Sequence, residues 1–445
     1  MMVPSSRLLL WVGLVVLPFA VLWAAVPEST PLALAALVML AILVSMDAAL
    51  AYGSLRNVGV ELPEVVRLSK DRPGAIELRI RNDSKKARRL RLGLALPRDL
   101  PSPDEDLAAL LPDDVELSRL LWPCTPLQRG NYCLDKVHLE GASPLGFWAV
   151  RSAVPVRSEV RVYPNLLTER NNLAALFLNR GAFGVHAQRQ IGKGRDFEKL
   201  REYIPGDSYD EIHWKATAKR GHPVTKVFQI ERTQEVYVII DASRLSARTV
   251  ADHANSHIPT LERYITAALV LGLAAERQGD LFGLVTFSDK VQNFVRAKNG
   301  RKHYSACRDA IYRLQPQIVT PDFEEMATFI RLRLRRRALL VFLTALDDPL
   351  LAESFVRSAD LLCRQHLLLV NMVQPPGAHP LFSDASVASL DGLYRHLGGH
   401  LLWHDLRELG KVLQRRGVQF SLLENERLSA QLISQYLSVK QRQLL

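Results

Sequence analysis

Glu235-Val236-Tyr237-Val238-Ile239-Ile240-Asp241 is an almost unbroken apolar run closed by an acid. A strand covered on one face alternates apolar and polar residues. This run does not alternate, which predicts a parallel strand buried on both faces. Residues 259–278 follow with Leu261, Ile265, Ala268, Leu269 and Leu273 at helical spacing, opened by Pro259 and closed by Gly279. Three more apolar runs lie at 281–287, 338–344 and 366–372, and helical patterns at 301–314 and 322–336 fall among them. Strands alternating with helices predict a doubly wound, parallel α/β sheet over residues 235–445. Ligands of such sheets bind beyond the carboxyl ends of the strands. Asp241, Thr286, Ser288 and Thr344 are expected at those ends.

Upstream the period changes to two. Ala75-Ile76-Glu77-Leu78-Arg79-Ile80-Arg81 alternates and stops at the turn signal Asn82-Asp83-Ser84. Residues 90–96 repeat the pattern and stop at Pro97. Short strands separated by turns predict a small β-sandwich-like domain over 53–165, with a linker at 166–234.

The first 52 residues are of another kind. Residues 8–26 and 32–46 are apolar and uncharged, and the apolar character resumes after Asp47. Each stretch approaches the roughly 20 residues that a helix needs to cross a hydrocarbon core. The linker between them is short, so residues 1–52 are expected to form a transmembrane hairpin with spans at 8–26 and 32–50. A cleaved signal peptide is the rival reading of the first stretch. The second stretch follows at once, and no A-x-A site precedes a soluble start, so the hairpin is preferred. Arg7 precedes the first span; Arg56, Arg67, Lys70 and Arg72 follow the second; the turn holds Glu28 and no basic residue. Basic flanks remain in the cytosol, which places both ends of the hairpin and all that follows there. Asp47 lies near the end of the second span, where interfacial solvation is the expected role.

The chain of 445 residues is long enough for two to three domains. With 48% hydrophobic and 23% charged residues it is a folding sequence, not a disordered one. Cys124, Cys133, Cys307 and Cys363 make no metal-binding spacing, and a reducing compartment fits them. The net charge of +11 suits an anionic membrane leaflet or an acidic partner. No basic stripe with interleaved aromatics appears, which argues against nucleic acid. Gly192-Lys193-Gly194-Arg195 lacks the phosphate-loop pattern. The run Arg331 to Arg337 reads as a solvated face of a helix.

Arg201-Glu202-Tyr203-Ile204-Pro205-Gly206-Asp207 and Ile212-His213-Trp214-Lys215-Ala216-Thr217-Ala218-Lys219-Arg220 resemble the signature of the bacterial domain-of-unknown-function 58 family. RGNY at Arg129, the segment from Pro144 to Trp148, Val162-Tyr163-Pro164 and the strand ending in Asp241-Ala242-Ser243 extend the resemblance over nearly the whole chain. Asp210 stands where the family often has arginine. The resemblance implies a von Willebrand A-like fold behind a membrane hairpin and a β-domain. It also implies a multi-pass protein of the bacterial inner membrane with cytoplasmic soluble domains. The implied role is that of an adaptor or scaffold working with a MoxR-type AAA+ ATPase on envelope or secreted proteins.

Such domains can hold Mg²⁺ through a D-x-S-x-S loop, a threonine and a further acid, because hard oxygen donors suit that ion. The candidate metal ligands are Asp241, Ser243 and Thr320. Leu245 stands in place of the second serine and Ala345 in place of the last acid, so the site looks degraded and no cofactor is expected. Asp241 and Ser243 are then ordinary loop and cap residues. The candidate partner-binding residues are Asp241, Ser243, Arg244, Asp207, His213 and Trp214. No G-x-S-x-G, H-E-x-x-H or catalytic-looking cysteine is present, so no catalytic residue is assigned. The expected function is non-enzymatic protein binding. A metal-dependent binding module is the first alternative and an uncharacterised hydrolase the second.

Overall fold

The computed structural model describes residues 1–25, 30–84, 88–167, 191–205, 208–229, 234–251, 257–381 and 389–442. The turn of the apolar hairpin and Asp207 lie outside the described residues. The chain divides into two compact units, Met1–Asn165 and Leu166–Leu445.

In the first unit β1 (Met2–Pro4) leads into α1 (Ser6–Ala25) and α2 (Thr30–Ala51). Their most apolar windows have mean hydropathies of 2.0 and 2.3, and only 6% and 11% of those windows is buried. Helices this long and this apolar, left uncovered by protein, point to membrane association.

The rest of the unit is β: β2 (Val58–Glu61), β3 (Val65–Ser69), β4 (Gly74–Asn82), β5 (Arg88–Leu94), β6 (Leu107–Leu111), β7 (Leu117–Cys124), β8 (Gly130–Ala142) and β9 (Trp148–Tyr163). One sheet runs β1-β9-β8-β5-β6, with β3 parallel to β9; the other runs β2-β4-β7. The period of two in β4 works as expected: Ile76, Leu78 and Ile80 are buried, while Arg79 and Arg81 face solvent. They share one core with Leu90, Leu92, Val137, Leu139, Val160 and Trp122.

Asp47 departs from the expectation of interfacial solvation. It is fully buried and accepts hydrogen bonds from Ser143 Oγ at 2.5 Å, Leu145 N at 2.9 Å and Phe147 N at 3.1 Å. Trp148 Nε1 donates to Val44 O at 3.1 Å. The end of α2 thus grips the turn between β8 and β9. Three donors converging on a carboxylate supply the solvation that burial removes.

The second unit opens with an antiparallel pair, β10 (Ile191–Glu202) and β11 (Val224–Gln229), with α3 (Trp214–Arg220) between them. Then come β12 (Glu235–Asp241), the short antiparallel pair β13 (Thr249–Ala251) and β14 (His257–Pro259), α4 (Thr260–Arg277), β15 (Leu281–Phe287), β16 (Val291–Lys298), α5 (Arg301–Ile311) and α6 (Phe323–Arg333). β17 (Leu339–Leu343), α7 (Pro349–Cys363), β18 (Leu367–Val373), α8 (Leu390–Arg415), β19 (Val418–Leu423) and α9 (Leu428–Gln441) complete it.

The main sheet has the order β16-β15-β12-β17-β18-β19, all parallel except β16. The chain starts at β12 and winds out in both directions, as the alternation of elements predicts. Val236, Val238 and Ile240 of β12 enter a core with α4 and α9; Tyr237 and Ile239 enter the opposite core with α6 and α7. Gly283 is required beside this strand. A Cβ there would lie 2.4 Å from the Tyr237 ring, whose hydroxyl accepts from Ala297 N at 3.1 Å.

Two expectations need correction. β16 carries no clear apolar pattern in sequence and forms an antiparallel edge. α6 ends at Arg333, where Leu334 turns its apolar side chain into the core, so Arg335, Arg336 and Arg337 follow the helix and are not a face of it. The thiols of Cys124, Cys133, Cys307 and Cys363 are all free.

Candidate functional site

Two groups of residues carry the candidate surface. The first is the carboxyl end of the main sheet. Asp241, the last residue of β12, is fully buried. Its Oδ2 accepts from Thr344 Oγ1 at 2.7 Å and its Oδ1 from Ser243 N at 2.8 Å. Burial pushes its pKa up, against the hydrogen bonds from Thr344 and Ser243 that lower it. Ser243, also buried, caps the next turn by accepting from Leu245 N at 3.3 Å, and Ser246 Oγ donates to Ser243 O at 2.9 Å. Side chains buried in this way shape the loop from beneath. Asp241 and Ser243, expected to touch a partner directly, are both buried, whereas Arg244 beside them is exposed and lies 3.9 Å from Asp348. Arg248 pairs with Asp347. Ile318 is exposed on a neighbouring loop, and Leu350 is exposed in the first turn of α7.

The donor set for Mg²⁺ does not fit here. Thr344 occupies one carboxylate oxygen of Asp241. Thr320 adjoins the loop, since Arg244 N donates to Val319 O at 3.0 Å, but its own side chain is exposed. Leu245 is buried where a second serine would be needed. Among the described residues no group of three His, Cys, Asp or Glu side chains gathers to hold a metal ion. Sequence reasoning favoured Thr320 by its position; Thr344 supplies the hydroxyl that reaches Asp241.

The second group is the signature segment. Tyr203 N donates to Pro223 O at 3.0 Å, Ile212 bridges to Thr225, and His213 N donates to Val224 O at 2.8 Å. These bonds fold the segment onto the start of β11. His213 is the N-cap of α3, where its Nδ1 accepts from Ala216 N at 3.0 Å, and Gly221 ends that helix in the left-handed region. Its cap bond shows the structural work that His213 does. Trp214 is left 69% exposed, with Tyr209 at 75% and Ile204 at 56%. Tyr203 and Tyr209 stack with ring centroids 6.2 Å apart.

An α/β unit whose sheet loops and signature segment are exposed, in a chain that begins with two uncovered apolar helices, is the class these features define. Residues 199–380 match the model of the family described as protein of unknown function DUF58. The uncharacterised proteins Rv1480 of Mycobacterium tuberculosis (strain ATCC 25618 / H37Rv) and Mb1516 of Mycobacterium bovis are each 22% identical over 195 residues, 43% of this chain. The match spans 59% of the length of those relatives. Among solved structures, BatB from Bacteroides thetaiotaomicron is 14% identical with a TM-score of 0.30, covering 46% of this chain and 97% of that one. An aerotolerance-related membrane protein from Bacteroides fragilis is 12% identical with a TM-score of 0.28, covering 45% of this chain and 97% of that one.

Proposed function

We propose that the protein is a membrane-tethered, non-enzymatic protein-interaction module with a von Willebrand A-like second unit. It is anchored in a bacterial inner membrane by α1 and α2, with both units in the cytoplasm. Its partner is a MoxR-type AAA+ ATPase, with which it acts on envelope or secreted proteins. The observation that carries the reading is Trp214: a large aromatic side chain held in the open by a helix whose start His213 caps. Exposed aromatics flanked by exposed apolar residues are the usual anchors of protein interfaces. Arg244, Ile318 and Leu350 form the second exposed group.

The test is a photo-crosslinker placed at position 214 of the full chain in native membranes, with a probe at the exposed Leu117 as control. An adduct with a AAA+ ATPase, identified by mass spectrometry and absent from the control, is expected. An adduct pattern equal to the control's removes the proposal. The exposed thiol of Cys133 tests topology. Membrane-impermeant maleimide should label it only after the inner membrane is opened; labelling in intact spheroplasts would place the first unit outside.

A further inference from the structure

The two edges of the main sheet are guarded unequally. β16 carries Arg296 and Lys298, and its register with β15 is interrupted twice. Charges and irregularities of this kind prevent an edge from pairing with a foreign strand. β19 reads VQFSLL, with no charge and no proline, and its register with β18 runs unbroken from Val418 to Leu423. Among the described residues β19 pairs on one side only. An open, regular and uncharged edge is a template for another strand.

A cavity of about 790 Å³ lies along this strand, between β19 and α8. Arg407, Lys411 and Arg442 line it, together with Trp403 and Phe420, and among the described residues no acid does. Arg407 is held over the Trp403 ring, 5.1 Å from its centroid. Lys411 reaches Glu408 at 2.6 Å, an exposed pair that contributes little and leaves the lysine available. Gly410 permits the close packing at the back of the cavity, where a Cβ would lie 3.2 Å from the Phe420 ring.

We propose that this edge binds an extended acidic segment of another protein as a seventh strand. Such a strand takes main-chain hydrogen bonds from β19. Every second side chain then points over the face that α8 covers, which places acidic residues at alternate positions opposite Arg407 and Lys411, while Arg442, which follows α9, lines the same cavity. A second copy of the chain fits less well, because two such edges would bring three cations against three. The surface is distinct from the signature segment and from the carboxyl-end loops, so it stands or falls separately from the function proposed above.

The test uses the full chain in nanodiscs and a fluorescent peptide of about eight residues alternating glutamate and valine, roughly the length of a typical strand. Saturable binding is expected by anisotropy. A peptide of the same charge, N-methylated at alternate amides, should bind at least about tenfold more weakly, because it cannot complete the ladder. The variant Arg407→Gln/Arg442→Gln should also lose about tenfold, and a lysine–valine peptide should not bind. Equal affinity for the N-methylated peptide, or for the double variant, overturns the proposal. So does full displacement of the peptide by short-chain phosphatidylglycerol, which would assign the cations to a lipid headgroup.

Discussion

The two ends of the main sheet treat a buried aspartate in opposite ways. At the amino end Asp280 receives a cation: Lys440 Nζ lies 2.8 Å from its Oδ2, Tyr436 Oη donates to the same oxygen, and Gln234 N donates to Oδ1 at 3.2 Å. Those bonds fasten the last helix to the sheet. At the carboxyl end Asp241 is met by hydroxyl and amide donors and, among the described residues, by no cation, and the neighbouring arginines pair with Asp347 and Asp348 outside it. One end is locked by charge. The other is shaped by hydroxyl and amide hydrogen bonds beneath exposed loops.

The largest way to break the comparison is at the locked end. Lys440→Met leaves Asp280 buried without its cation. It should cost about 3 kcal/mol, near the low end for a broken buried pair because Lys440 is partly exposed. Thermal melting of the detergent-solubilised chain measures it, and an unchanged midpoint would show that Tyr436 and Gln234 suffice.

At the other end Asp241→Ala orphans the Thr344 hydroxyl and the Ser243 amide and should cost about 1–3 kcal/mol. Asp241→Asn keeps a polar side chain of the same shape and should cost less than about 1 kcal/mol near neutral pH. The sign follows from the raised pKa of Asp241. Its protonated form is favoured in the fold, so the stability it contributes is present below the unfolded carboxyl value, about 4, and is lost as pH rises through the folded value. A melting curve of Asp241→Asn should therefore decline less from mildly acidic to neutral pH than that of the natural chain. Parallel declines would place the titration elsewhere.

The smallest effect belongs to His366, buried at the amino end beside β18, where among the described residues neither ring nitrogen finds a hydrogen-bond partner. Burial lowers its pKa. The neutral form is the one that fits the fold, so stability is full above the unfolded value of about 6.5 and declines as pH falls through and below it. His366→Phe should flatten that acid limb while leaving the midpoint at pH 8 nearly unchanged. A limb of unchanged slope would move the cause to another group.

Much of the second unit was legible. The run ending at Asp241 appears as β12, and the helix expected between Pro259 and Gln278 is α4, with those two residues as its caps. Such features are local, and periodicity records them. β16 was not legible, because an edge strand buries too little to require an apolar pattern. Two contacts were hidden for another reason. Asp47 and Ser143 lie 96 residues apart, and Asp241 and Thr344 lie 103 apart. Nothing in either local sequence indicates its partner, although Thr344 could be placed at the right end of the sheet. Trp214 was identifiable from the signature; its exposure, and the capping by His213, needed coordinates.

The grip of Asp47 also has a mechanical side. β1 pairs with β9, the terminal amine donates to Arg151 O at 2.9 Å, and Asp47 holds the turn that precedes the same strand. Both apolar helices are therefore tied to one stretch of the sandwich, α1 through β1 and α2 through Asp47. A force on that stretch of the sandwich would reach both helices through these two attachments.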